Sequence, residues 1–193
     1  MKKLLPMPIL VLGLACLVPS VALAHILPGT GHGFHEGLAH PFSGLDHLLA
    51  MFAVGLWAAA HRGRALWLIP LTFVSVMALG GVMGLAGVQI PGADFGIALS
   101  ALVLGSLIAT MTQFKPSWSM ALVGAFAIFH GYAHGHEMPA SVTAISFSAG
   151  FLFSTLLLLA LGIGAGLYFQ KQPRTLRFAG LAIAGCSIFF FVS

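Results

Sequence analysis

Apolar stretches of about 20 residues recur along this chain with almost no charge inside them, each long enough to cross a bilayer core of roughly 30 Å. A backbone inside hydrocarbon must satisfy its own hydrogen bonds, so such stretches are read as helices. Only 6% of the 193 residues are charged and mean hydropathy is +1.04, whereas a soluble domain carries roughly 25% charged residues. A water-soluble globular fold is excluded. The expected fold is all-α, a polytopic membrane protein.

The N-terminus reads as a cleaved signal peptide over residues 1–24. Lys2 and Lys3 supply its charged start, Ile9 to Val18 its apolar stretch, Pro19 a break, and Ala22-Leu23-Ala24 small residues at the cleavage positions. Cleavage makes His25 the mature N-terminus, outside the cell membrane. A periplasmic histidine-rich segment, 25–41, then leads into a membrane domain, 42–193. Six transmembrane helices are expected there, at about Phe42 to Ala60, Ala65 to Val88, Phe95 to Met111, Ser119 to His136, Ala144 to Phe169 and Phe178 to Val192. The loops that fall inside hold Arg62, Arg64, Lys115, Lys171, Arg174 and Arg177, every basic residue of the mature chain. The positive-inside rule therefore agrees with the leader, and both mature termini are expected in the periplasm.

The net charge of +4 does not make a nucleic-acid face, because its residues are scattered singly or in short groups between apolar segments. Gly80, Gly84 and Gly87 in the second span, and Gly162 and Gly166 in the fifth, read as small-residue contacts between closely packed helices.

All four acids, Glu36, Asp46, Asp94 and Glu137, fall on the outer side or in the outer half of a span, as do all the histidines except His61. Ionisable side chains are costly in a membrane, so such a cluster points to function. In the first span, HPFSGLDHLLAM puts Pro41 at a helix start, with Asp46 and His47 roughly 7 to 9 Å below it. That depth is past the first turn, where an acid would merely complement the helix dipole. In the fourth span, FHGYAHGHEM places His130, His134 and Glu137 at i, i+4 and i+7 on one face. His134 and His130 would lie about 6 and 12 Å below the outer end, at depths that overlap those of Asp46 and His47. Imidazole and carboxylate together suit nickel, cobalt or zinc. Upstream, HILPGTGHGFHEGLAH reads as a flexible metal-collecting arm carrying His25, His32, His35 and Glu36, with the freed α-amine and imidazole of His25 as a chelating pair. Asp94 reads as an N-cap and His61 as an interfacial residue.

The segments HPFSGLDHLLAMFAVGLWAA and FHGYAHGHE resemble the signature segments of the HupE/UreJ family, and with the leader, size and span number the resemblance covers effectively the whole chain. The first segment also resembles the HxxxxDH motif of the NiCoT nickel/cobalt permeases, although five residues separate His40 from Asp46 here. The resemblance implies a multi-pass permease of the bacterial cytoplasmic (inner) membrane that carries nickel, or cobalt, inward for hydrogenase or urease maturation. The implied metal-handling residues are His40, Asp46 and His47 in the first motif and His130, His134 and Glu137 in the second. The metal is cargo, with no prosthetic group expected; the partners are the divalent ion, the bilayer and cytosolic nickel metallochaperones.

The rival from another class is an intramembrane zinc hydrolase, with His47, His130 and His134 as ligands and Asp46 as base. No substrate-binding signature supports it, and it leaves the histidine arm unexplained. A bis-histidine haem protein would need two imidazoles on opposite sides of a ring rather than carboxylates among them.

Overall fold

A computed structural model describes residues 33–61 and 63–192. The leader, His25, His32 and Arg62 lie outside the described residues. Those described form helices α1 (Gly33–Ala39), α2 (Leu45–Ala58), α3 (Ala65–Leu85), α4 (Ala93–Thr110), α5 (Pro116–His136), α6 (Ala144–Phe169) and α7 (Pro173–Val192), with a 3-10 turn at His40–Phe42 between the first two. Three of them, α3, α4 and α6, are long and apolar enough to cross a membrane, with mean hydropathies of 2.0, 1.8 and 2.1. Many of the large apolar side chains of these helices point outward, among them Leu79, Val82, Phe95 and Phe153. That is the surface expected of a protein whose solvent is lipid.

Helix α2 is the axis of the bundle. It packs against α3, α4, α6 and α7, and from Leu49 to Ala58 only Phe52 escapes burial. A helix that is apolar all round belongs inside, as here. It is also short: 14 residues, or about 21 Å, against the continuous span expected from Phe42. The reason is local. Ser43 closes a tight turn by donating from both its backbone N–H and its hydroxyl to His40 O, and Gly44 is extended (φ −111, ψ 116). A Cβ at Gly44 would stand 2.9 Å from Asp46 Oδ1 and from His47 Nδ1, so glycine leaves room for that pair at the head of α2.

The segment expected to be a flexible arm is, over Gly33–Ala39, a helix packed on α6. Its glycines serve packing. A Cβ at Gly37 would meet Phe147 O, and one at Gly150 would meet Phe34 O, so α1 and α6 touch backbone to backbone. The same device joins α3 to α5 through Gly80, Gly84, Gly131 and Gly135, and α2 to α6 through Gly55 and Gly162. Gly87 is the exception to the expected small-residue contacts. It lies beyond the end of α3 at φ +73 with nothing near its missing Cβ, so it ends the helix in a left-handed turn. Asp94 is not an N-cap either: that position is Gly92, and no side chain caps the helix.

The basic loops converge at one end of the bundle. Residues from the α2–α3, α4–α5 and α6–α7 connections, His61, Gln113 and Gln170 among them, line one cavity of ≈ 730 Å³. Trp67, Trp118 and Tyr168 stand 63%, 69% and 75% exposed at that end, as aromatic side chains do where a membrane meets water. His61 lies at this end too, but packed into the protein: it is buried, and ties the end of α2 to α5. Trp57 O can only accept, so the 3.2 Å contact identifies His61 Nδ1 as a donor, and Nε2 pairs with Ser119 Oγ at 3.0 Å.

Candidate metal site

At the opposite end, the head of α2 and the last turns of α5 bring the two histidine motifs together. The motifs are interleaved rather than stacked one below the other. The His40 ring lies 4.8 Å from that of His134, His134 lies 4.5 Å from His47, and His47 lies 5.2 Å from His130, centroid to centroid. Four imidazoles thus form a file. His40 is part-exposed, while His130 and His134 are buried at 0% and 4% relative exposure.

At the open end of the file, Glu137 follows the last residue of α5 and its Oε2 lies 3.4 Å from His40 Nε2. The His40 contact holds the Glu137 carboxyl below the ordinary glutamate range, so this end carries a carboxylate at neutral pH. His40, His134 and Glu137 each offer a ligand atom, all within 4.8 Å of one another. A cation of ordinary coordination radius needs only a modest inward movement of these groups to be held between them.

Asp46 has a different part. Because α2 begins at Leu45, this acid sits in the first turn and not beyond it, where its charge also suits the helix N-terminus. Its Oδ1 accepts from the His47 backbone N–H at 2.9 Å and pairs with His47 Nδ1 at 3.0 Å. A carboxylate can only accept, so Nδ1 carries the proton and Nε2 keeps its lone pair. Carboxylates commonly fix metal-binding imidazoles in this way. The expected effect of Asp46→Asn is therefore a drop of about 10-fold to 100-fold in metal affinity with the bundle intact, read by isothermal titration of purified protein with Ni2+. Native affinity in that variant would remove Asp46 from the metal-handling set.

The remaining imidazoles lack partners that neutral histidines buried in a protein ordinarily have. Among the described residues, the buried side-chain nitrogens with no hydrogen-bond partner are His47 Nε2, His130 Nδ1 and both ring nitrogens of His134. Leaving such a group unsatisfied costs about 1–3 kcal/mol. Three histidines that bear this cost side by side are suited to donate to a cation. His61, whose two nitrogens are both occupied, is not.

The other residues singled out from the sequence lie apart from this file. His35 is exposed on α1, and Glu36 on the same helix is half-buried with Oε2 unpartnered. His136 is exposed and stacked on Tyr132, with ring centroids 5.6 Å apart. Beside His134 a cleft of ≈ 190 Å³ opens between α3, α5 and α6, lined mainly by apolar side chains such as Met77, Met138 and Phe151. Ser100 of α4, which no sequence pattern singled out, is hydrogen-bonded to His130.

Comparison with known proteins gives a consistent result. A family model described as HupE / UreJ protein matches residues 12–190. Protein HupE of Rhizobium leguminosarum bv. viciae is 44% identical over 177 residues, which cover 88% of this chain and 90% of that one. No solved structure matches significantly.

Proposed function

The chain belongs to the HupE/UreJ family, and from that premise we propose that it is a permease that carries nickel, or cobalt, across the bacterial cytoplasmic membrane toward the cytoplasm. In this reading helices α2 to α7 are the six spans, the His40 and Glu137 end faces the periplasm, and the basic loops face the cytoplasm. Hydrogenase or urease maturation is the use of the metal, and cytosolic metallochaperones receive it. The protein is a transporter, not a hydrolase.

The observation that supports this reading is the file of four imidazoles, three of which, His47, His130 and His134, have buried ring nitrogens with no partner. A hydrated divalent cation meets Glu137 and His40 first, where the site is part-exposed. It then exchanges water for His134, which neighbours both His40 and His47, and passes on to His47 and His130. Each transfer replaces one nitrogen ligand by the next at similar distance, so no step requires a bare ion. Imidazole with a few carboxylates suits nickel and cobalt, and the thiolates that favour softer ions are absent from the file.

Toward the basic end from His130, Met51, Val54 and Trp57 of α2 and Val123 and Ala127 of α5 are all buried. Release on the basic side requires this packing to open, and the His61–Ser119 contact, which ties the end of α2 to α5, lies on that side.

The test is accumulation of radioactive nickel in a host lacking its own nickel uptake, with cobalt and zinc as competitors. Cells making the native chain should accumulate nickel well above empty cells, and excess cobalt should compete. A well-inserted native chain that gives no accumulation above empty cells would sink the reading and turn attention to lipid or peptide cleavage.

A further inference from the structure

We propose that Ser100 is a positioning residue that fixes His130 with its proton on Nε2, so that Nδ1 is the atom it offers to the metal. The assignment follows from where hydrogens can lie. Ser100 Oγ is 2.6 Å from Ile97 O and 2.9 Å from His130 Nε2. Two oxygens at 2.6 Å need a hydrogen between them, and a carbonyl has none to give. The single hydroxyl hydrogen of Ser100 is therefore spent on Ile97 O. The contact with His130 then needs the ring's own hydrogen, so Nε2–H donates and Ser100 Oγ accepts. A neutral imidazole has one N–H, which leaves the lone pair on Nδ1, the nitrogen that is buried with no partner.

The surroundings hold this arrangement in place. Ser100, Ile97 and His130 are all at 0% exposure, so no water competes for the hydroxyl. Gly96, four residues before Ser100, accepts the Phe129 ring where a Cβ would stand 2.5 Å from its Cγ, and this lets α4 and α5 close up beside His130. The hydroxyl does for His130 what the Asp46 carboxylate does for His47, with opposite choice of nitrogen. Asp46 leaves Nε2 of His47 free, and Ser100 leaves Nδ1 of His130 free. Adjacent histidines thus present different ring atoms, and an ion passing between them meets a lone pair on each.

The proposal rests on the permease reading only in treating His130 as a ligand. The experiment separates the two. The full chain is labelled with 15N-imidazole histidine and its two-bond 1H–15N spectrum recorded in detergent at neutral pH, with His130→Gln to assign the signal. Nε2 should appear as the protonated nitrogen and Nδ1 as the bare one; the reverse pattern in the native protein overturns the proposal, whatever any variant does. In Ser100→Ala the pattern should shift towards mixed tautomers, and Ni2+ affinity should fall about 10-fold, whereas Ser100→Thr should recover both. Native affinity and tautomer in Ser100→Ala, or equal losses in both variants, count against the hydroxyl. Native protein that binds no Ni2+, yet shows the expected His130 tautomer, defeats the permease reading and leaves the hydrogen-bond assignment standing.

Discussion

His134→Ala should bring nickel accumulation close to that of cells without the protein, at unchanged membrane abundance. His134 neighbours both His40 and His47 in the file, it is buried, and neither of its nitrogens has a partner. On the proposed path its loss removes a nitrogen donor and also opens a gap between the outer pair and the deeper one. The expected fall is therefore at least the 100-fold at the upper end of what loss of a ligand's supporting partner costs. The bundle itself should tolerate the change. The imidazole makes no hydrogen bond that holds a helix, and outside the file its ring packs on Phe151. His136→Ala, two residues on and exposed, should accumulate nickel like the native chain. Equal activity in both variants would mean that the metal does not pass through the file.

The second large effect is structural. Gly131→Ala would place a Cβ 1.9 Å from Met77 O and 2.7 Å from Met77 C. Backbone atoms cannot swing aside as a side chain can, so α3 and α5 must move apart along the seam that Gly80, Gly84 and Gly135 also line. Overpacking of a well-filled interior costs about 1–3 kcal/mol and sometimes more, and a contact this short belongs at the upper end. About 3 kcal/mol in a chain of this size lowers the melting temperature by roughly 6–12 °C, measurable by thermal unfolding in detergent. Gly164→Ala is the matched control on α6, with nothing within 4 Å of the new Cβ; its stability should be unchanged or slightly raised. A seam that tolerated Gly131→Ala as well as Gly164→Ala would not be held by backbone contact.

Much of this arrangement is written in local pattern. Apolar runs place α3 to α6 close to their observed bounds, whereas α7 starts at Pro173, five residues before the expected Phe178, and takes Arg174 and Arg177 from the expected loop into its first turns; the spacing of His130 and His134 puts both on one buried face. What pattern misses depends on partners distant in sequence. Gly33 and Gly37 read as flexibility because glycine lacks a side chain. What makes them helical is the close approach of α6, whose Ser146 and Phe147 they meet, more than a hundred residues away. The break at Gly44 was hidden by Pro41, a good helix starter that here opens a 3-10 turn instead. Ser100 gave no signal, since a hydroxyl in an apolar helix commonly bonds its own backbone. Only the facing His130 shows that its oxygen has a second use. His61 shows the same limit: its place beside Arg62 and Arg64 gives its end of the bundle, whereas its burial depends on Ser119 of another helix.

The short axial helix also shapes the electric field across the protein. From its first residue to its last, α2 runs 14 residues, or about 21 Å at the ordinary helical rise. Water can approach from both ends, at Glu137 on one side and in the cavity beside His61 on the other. The membrane voltage therefore falls across the packed stretch between them and not across the full ~30 Å of hydrocarbon. Each elementary charge that crosses it gains about 2.3 kcal/mol per 100 mV, and a divalent cation about twice that. In the proposed permease, capture at His40 and Glu137 lies outside this drop and should be indifferent to voltage, while passage along α2 is the step that an inside-negative potential would drive.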